Sequence, residues 1–305
     1  MDKDGWRRGG KDMRYSRIRK KNSKKRYATV ALIFLLTLTM IYLISAGSLG
    51  KVVSNLISLL LSEEDDNRPE DLNEMPELII PDKKQEPDRL EKITDSLKAN
   101  ALNMYAIQMG AFTDKKNAKV LASELKDRGG AGYILKDDFY RVLAVGFQSE
   151  DDARKVKNEL DSSGLEAHIY KLSTAGADMR ITATEEYVEK ISNAYSLWEE
   201  EYLSLEEIII QLDSDVLSPI AAYDIIKTKK NRMADIKQEL IEISGNQNNN
   251  FILSELISLY EKSCASLDKI LSNEMSDKVA ISSEIKYTNI EMFILYRDYM
   301  KQITN

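Results

Sequence analysis

An internal repeat with a period of 35 residues constrains this chain more than any other feature. Tyr105 recurs as Tyr140, Phe112 as Phe147, Ala118 as Ala153 and Glu124-Leu125 as Glu159-Leu160. Gly129 recurs as Gly164, Ile134 as Ile169 and Lys136 as Lys171. Self-similarity at fixed spacing marks a duplicated supersecondary unit. Each copy reads strand, helix, strand: an alternating segment, then Ala118, Leu121, Ala122 and Leu125 (or Ala153, Val156 and Leu160) at helical spacing, a glycine stop and a second short strand. Two such βαβ units predict a four-stranded sheet with both helices on one face.

Strand alternation then says what lines the other face. With Tyr105, Ile107, Tyr140 and Val142 toward the helices, Met104, Ala106, Gln108, Phe139, Arg141 and Leu143 point away. Ile134 and Ile169 pair inward, so Tyr133, Leu135, His168 and Tyr170 also point away. Gln108 and Arg141 are poor core residues, and an open face rich in aromatics marks a binding surface. The bland alternative is that the linker or the C-terminal helices cover this face as ordinary core.

Charge divides the rest of the chain. Residues 1–26 form a basic tail, expected in the cytoplasm. Residues 27–50 carry no charge, and ALIFLLTLTMIYLI (Ala31 to Ile44) is almost wholly apolar, long enough for one transmembrane helix. Retention of Lys and Arg on the cytoplasmic side predicts a single-pass protein with residues 51–305 outside the membrane. Residues 51–102 hold Pro69, Pro76, Pro81 and Pro87 among acidic residues and read as a flexible linker.

Residues 178–305 read as a nearly all-helical bundle of four helices, with starts at Thr184 before Glu185-Glu186 and at Ser218-Pro219 and a loop at Asn246 to Asn250. A lone Cys264 and a lone His168 exclude a disulfide framework and any metal centre or triad needing two imidazoles. Neither a phosphate loop nor a nucleophile motif occurs, so no cofactor, no metal and no catalytic residue are expected. Acidic clusters such as Glu199-Glu200-Glu201 and Asp213-x-Asp215 read as solvated helix faces.

MYAIQMGAF (Met104 to Phe112) and FYRVLAVGF (Phe139 to Phe147), each followed by a helix, resemble a SPOR domain over residues 103–173. The resemblance implies an α+β, ferredoxin-like fold that binds septal peptidoglycan glycan strands stripped of their stem peptides. It implies glycan contacts at Gln108, Phe139 and Arg141; the alternation adds Tyr133, Tyr170, Leu143 and His168 to the same surface. The chain departs from the family pattern in having Ala111 where a small polar residue is common, Phe139 rather than Trp, and its glycine displaced to Gly146. The layout of basic tail, span, linker and SPOR domain is similar to that of membrane-anchored sporulation proteins of endospore formers, with the helical bundle as an addition. The expected function is a membrane-anchored peptidoglycan-binding protein of the division or sporulation septum, its bundle contacting a protein partner. A wall hydrolase or hydrolase activator working through the bundle is the alternative. Zero net charge over residues 103–173 speaks against nucleic acid.

Overall fold

A computed structural model describes residues 77–79, 91–245, 250–274 and 276–304. The basic tail, the apolar span, most of the acidic linker and the centre of the Asn246 to Asn250 loop lie outside the described residues. Among the described residues no helix is long and apolar enough to cross a membrane.

The repeat folds as expected. Strands β3 (Asn103–Phe112), β4 (Tyr133–Lys136), β5 (Tyr140–Phe147) and β6 (His168–Ser173) form one antiparallel sheet in the order β4-β5-β3-β6. Helix α1 (Lys115–Lys126) follows β3, and α2 (Glu150–Ser162) follows β5. The duplication extends to the caps. Asp114 and Ser149 each accept a hydrogen bond from the first turn of their helices, at Lys116 N and Asp152 N. At the other ends Gly129 (φ 79°) and Gly164 (φ 75°) adopt the left-handed turn, and Gly130 N and Leu165 N donate to Leu125 O and Leu160 O, each 2.9 Å. Glycine is required there because a side chain strains that conformation.

A second, three-stranded sheet departs from the expected layout. β1 (Glu77–Ile79), β2 (Lys92–Ala99) and β7 (Ala177–Thr184) assemble in the order β1-β7-β2. Two of these strands come from the expected linker, and β7 takes the start of the expected bundle. The cause is period-two burial: Leu97 and Ala99 on β2 and Met179, Ile181 and Ala183 on β7 enter the core.

The bundle contains α3 (Glu185–Asp213), α4 (Pro219–Ser244), α5 (Phe251–Leu271) and α6 (Lys278–Thr304). Trp198 centres it. Its ring stacks on Tyr296 (centroids 4.7 Å apart) and on Tyr202 (5.5 Å), and its indole N–H donates to Ser263 Oγ at 3.0 Å. Cys264 is a buried thiol, its pKa raised by burial. The bundle also binds the sheet: Lys286 Nζ donates to Gly129 O (2.8 Å), Ser283 Oγ to Gly130 O (2.9 Å) and Gln148 Nε2 to Leu203 O (2.8 Å). Met104, Ala106, Leu135, Leu143 and Leu172, on the face away from α1 and α2, share one continuous core with the bundle helices. Half of the expected open face is therefore interior.

Candidate glycan-binding site

What stays open is the end of that face at the β4–β5 turn. Cross-strand register sets Gln108 beside Leu143 and His168, Arg141 beside Leu135 and Ala111, and Tyr170 beside Ala106. The pairing of β3 with β5 is irregular on both sides of Gln108, a local twist that re-aims side chains.

Asp137, in the turn, organises the cluster. Its Oδ2 accepts from Arg141 Nε at 2.6 Å and from the Tyr170 hydroxyl at 2.8 Å, and its Oδ1 accepts from Phe139 N at 2.8 Å. Arg141 Nη1 also donates to Gln108 Oε1 at 2.9 Å. The guanidinium centre lies 4.5 Å from the Tyr170 ring and 5.5 Å from the Phe139 ring, within cation–π reach of both. Burial alone would push the Asp137 carboxyl up. The Phe139 N–H, the Arg141 guanidinium and the Tyr170 hydroxyl outweigh it and hold the pKa at about 2. The same contact with Asp137 raises both Arg141 and Tyr170. Arg141 is thus a fixed cation, held by a carboxylate and an amide between two aromatic rings.

Phe139 remains 40% exposed, enough to offer a ring face to a ligand. His168 is exposed at the rim, its Nε2 3.5 Å from Glu166 Oε1. Gln108 is buried and positions Arg141 from below. Two expected surface residues are placed elsewhere. Leu143 is fully buried, and the Tyr133 ring packs 5.0 Å from that of Tyr287 on α6. An apolar half-face must be covered, and α6 covers it, so Leu143 and Tyr133 belong to the domain junction. Sequence reasoning missed Asp137. The signal available was an Asp at the start of a turn, four residues before Arg141.

The acidic residues of the bundle do structural work. Glu201 pairs with Lys229 (2.5 Å) and Arg232 (2.7 Å), Asp213 with Lys286 (2.6 Å), and Asp215 with Lys278. Among the described residues no group of three or more His, Cys, Asp or Glu is placed to hold a metal ion.

A family model for the SPOR domain matches residues 102–171. This part of the chain is a SPOR domain. The match covers both helices and all of the four-stranded sheet except the last two residues of β6, and a SPOR domain is a binding domain that implies attachment to peptidoglycan. Two curated relatives share the likeness: the endolytic peptidoglycan transglycosylase RlpA of two Helicobacter pylori strains, each 38% identical over 77 residues. That stretch is 24% of this chain and 24% of each relative, so the chain spans about a quarter of the length of the relatives it matches. No solved structure matches the chain.

Proposed function

We propose that this protein is a membrane-anchored adaptor whose SPOR domain docks on septal glycan strands lacking stem peptides, during division or sporulation. The observation that carries the reading is the exposed end of the sheet, where Phe139 and Tyr170 flank an Arg141 fixed by Asp137 and Gln108. Sugars present apolar ring faces and a rim of hydroxyls and acetamides. Aromatic faces stack on the first, and a guanidinium donates to the second. Stripping stem peptides exposes those faces, which is why bare glycan suits this site. The uncharged span at residues 27–50 supplies the anchor, and the acidic bundle is proposed to meet a protein partner outside the membrane.

The test is retention of the purified full-length chain, in detergent, on intact sacculi and on sacculi pretreated with an amidase that removes stem peptides. Retention should rise on the stripped walls, and the double variant Phe139→Ala/Arg141→Ala should lose it while keeping a cooperative melting transition. Equal retention of wild type and variant would show that the sheet end is not the glycan surface. Release of soluble fragments from the walls by the wild-type chain would favour the hydrolase reading instead.

A further inference from the structure

A cavity lies on the opposite side of the SPOR sheet from the proposed glycan site, where α1, α2 and the bundle meet. Its volume is about 210 Å³. Ile107, Val145 and Phe147 from the sheet, Leu125 from α1 and Val156 and Leu160 from α2 form its walls, and Val279 of α6 lies across it. The lining is mainly apolar, with Arg128, Asp213, Lys278, Ser282 and Lys286 as its polar side chains, and an apolar pocket of this size accepts apolar molecules. An engineered apolar cavity of about 150 Å³ holds benzene, so this one has room for a chain of about eight carbons. Its rim is basic. Lys286 and Lys278 are occupied by Asp213 and Asp215, whereas the half-buried Arg128 guanidinium has no ion pair or hydrogen bond among the described residues.

The geometry points to a binding site for a short-chain anionic amphiphile, with an apolar tail of about eight carbons between α1 and α2 and its acidic head on Arg128. Two features independent of the glycan surface carry the assignment: a mainly apolar cavity built jointly by the SPOR domain and the bundle, and a cation in its lining with no partner among the described residues. Binding there ties the two parts of the protein together, because the tail contacts both α2 and Val279.

The test is thermal unfolding of the full-length chain in detergent with octanoate, octanol or dioctanoyl phosphatidylglycerol. At a hundredfold excess over Kd, octanoate should raise Tm by about 5 °C. Val156→Phe, which fills the cavity, should abolish the shift and leave sacculus retention unchanged. Arg128→Gln, at the rim, should weaken octanoate by about tenfold and leave octanol unaffected. A shift with dioctanoyl phosphatidylglycerol assigns a membrane lipid as the source of the chain, and a shift with octanoate alone assigns a free acid. Absence of any shift in the wild type, or a full octanoate shift in both variants, overturns the proposal. If Val156→Phe does not fold, the comparison of octanoate with octanol in Arg128→Gln still decides it.

Discussion

Asp137 and Arg141 meet across the β4–β5 turn at 2.6 Å, and the same Asp137 oxygen takes the Tyr170 hydroxyl, which comes from the far edge of the sheet. A residue of the turn therefore orients both Arg141 and Tyr170, one of the two rings that flank the guanidinium.

Replacing Asp137 with Asn should leave the fold intact and disorder the site. The amide keeps an acceptor for the Phe139 N–H but loses the charge that holds Arg141. Sacculus retention should fall about tenfold, the low end of the scale for one charge-assisted hydrogen bond. Because the folded Asp137 pKa is lowered to about 2 from an ordinary 3.8, its contribution to stability is present above about pH 4 and lost as pH falls through 2. Wild-type retention should therefore be flat from pH 5 to 8 with respect to this group. A carboxyl titration of Asp137 above pH 4, followed by NMR, would contradict this arrangement.

Phe139 offers a test in the opposite direction. It is 40% exposed and belongs to neither apolar core cluster, so changes there act on the ligand more than on the fold. Phe139→Trp enlarges the stacking surface and should increase retention on stripped walls about threefold or more, whereas Phe139→Ala should reduce it about tenfold. Tm should move by less than about 2 °C in both, because exposed substitutions rarely shift stability by more than ~0.5 kcal/mol.

The repeat made the SPOR half legible because each strand face and helix stop is encoded locally and then encoded again 35 residues later. The sides assigned to Gln108, Arg141, Tyr133, Leu143 and Tyr170 by alternation are the sides they occupy. What alternation does not report is which part of a face another element covers. The signal for that lay in α6, where Ile281, Ile285, Ile290, Phe293 and Tyr296 are buried together with Ser282, Lys286 and Asn289, so that little of the helix meets water. A helix buried on all sides must pack against more than one neighbour. The polar members of that set hid it. Strand β2 escaped for a related reason: only Leu97 and Ala99 of KITDSLKA are buried, too few to mark a strand among prolines and acids. Asp137 acquires its role from Tyr170, 33 residues away, a contact that no local pattern specifies.

Glu206 makes the junction between sheet and bundle sensitive to pH. Its Oε2 accepts from Gln148 N at 2.9 Å, and burial, reinforced by Asp152 and Glu207, pushes its pKa to about 7. A carboxyl whose folded pKa is raised above 4.5 binds its proton more tightly in the folded state. The folded state is thus favoured at low pH, and stability falls as pH rises from about 4.5 through 7. Glu206→Gln keeps an acceptor for Gln148 and removes the charge. It should stabilise the protein by about 2 kcal/mol at pH 8 and by almost nothing at pH 4.5, read from urea unfolding at the two pH values. Equal effects at both would show that the carboxylate is solvated in the folded protein.

Lys286 gives the strongest test of the junction itself. Its ammonium lies between Asp213 Oδ2 (2.6 Å) and the Gly129 carbonyl (2.8 Å), and both charged residues are buried. Lys286→Ala leaves Asp213 with Ser282 as its only remaining side-chain hydrogen-bond partner among the described residues, in a buried setting, and should cost about 3–5 kcal/mol. Asp213→Asn in the same chain removes the stranded charge and should recover more than half of that loss, because the penalty comes from the uncompensated carboxylate rather than from the missing attraction. The bond to Gly129 O does not return in the double variant. If the junction holds the SPOR domain against the bundle through that carbonyl, amide exchange at Gly129 to Gly132 should stay fast even where global stability is restored. Recovery of slow exchange in the double variant would show that α6 is held by its apolar contacts alone, with Lys286 serving only to neutralise Asp213.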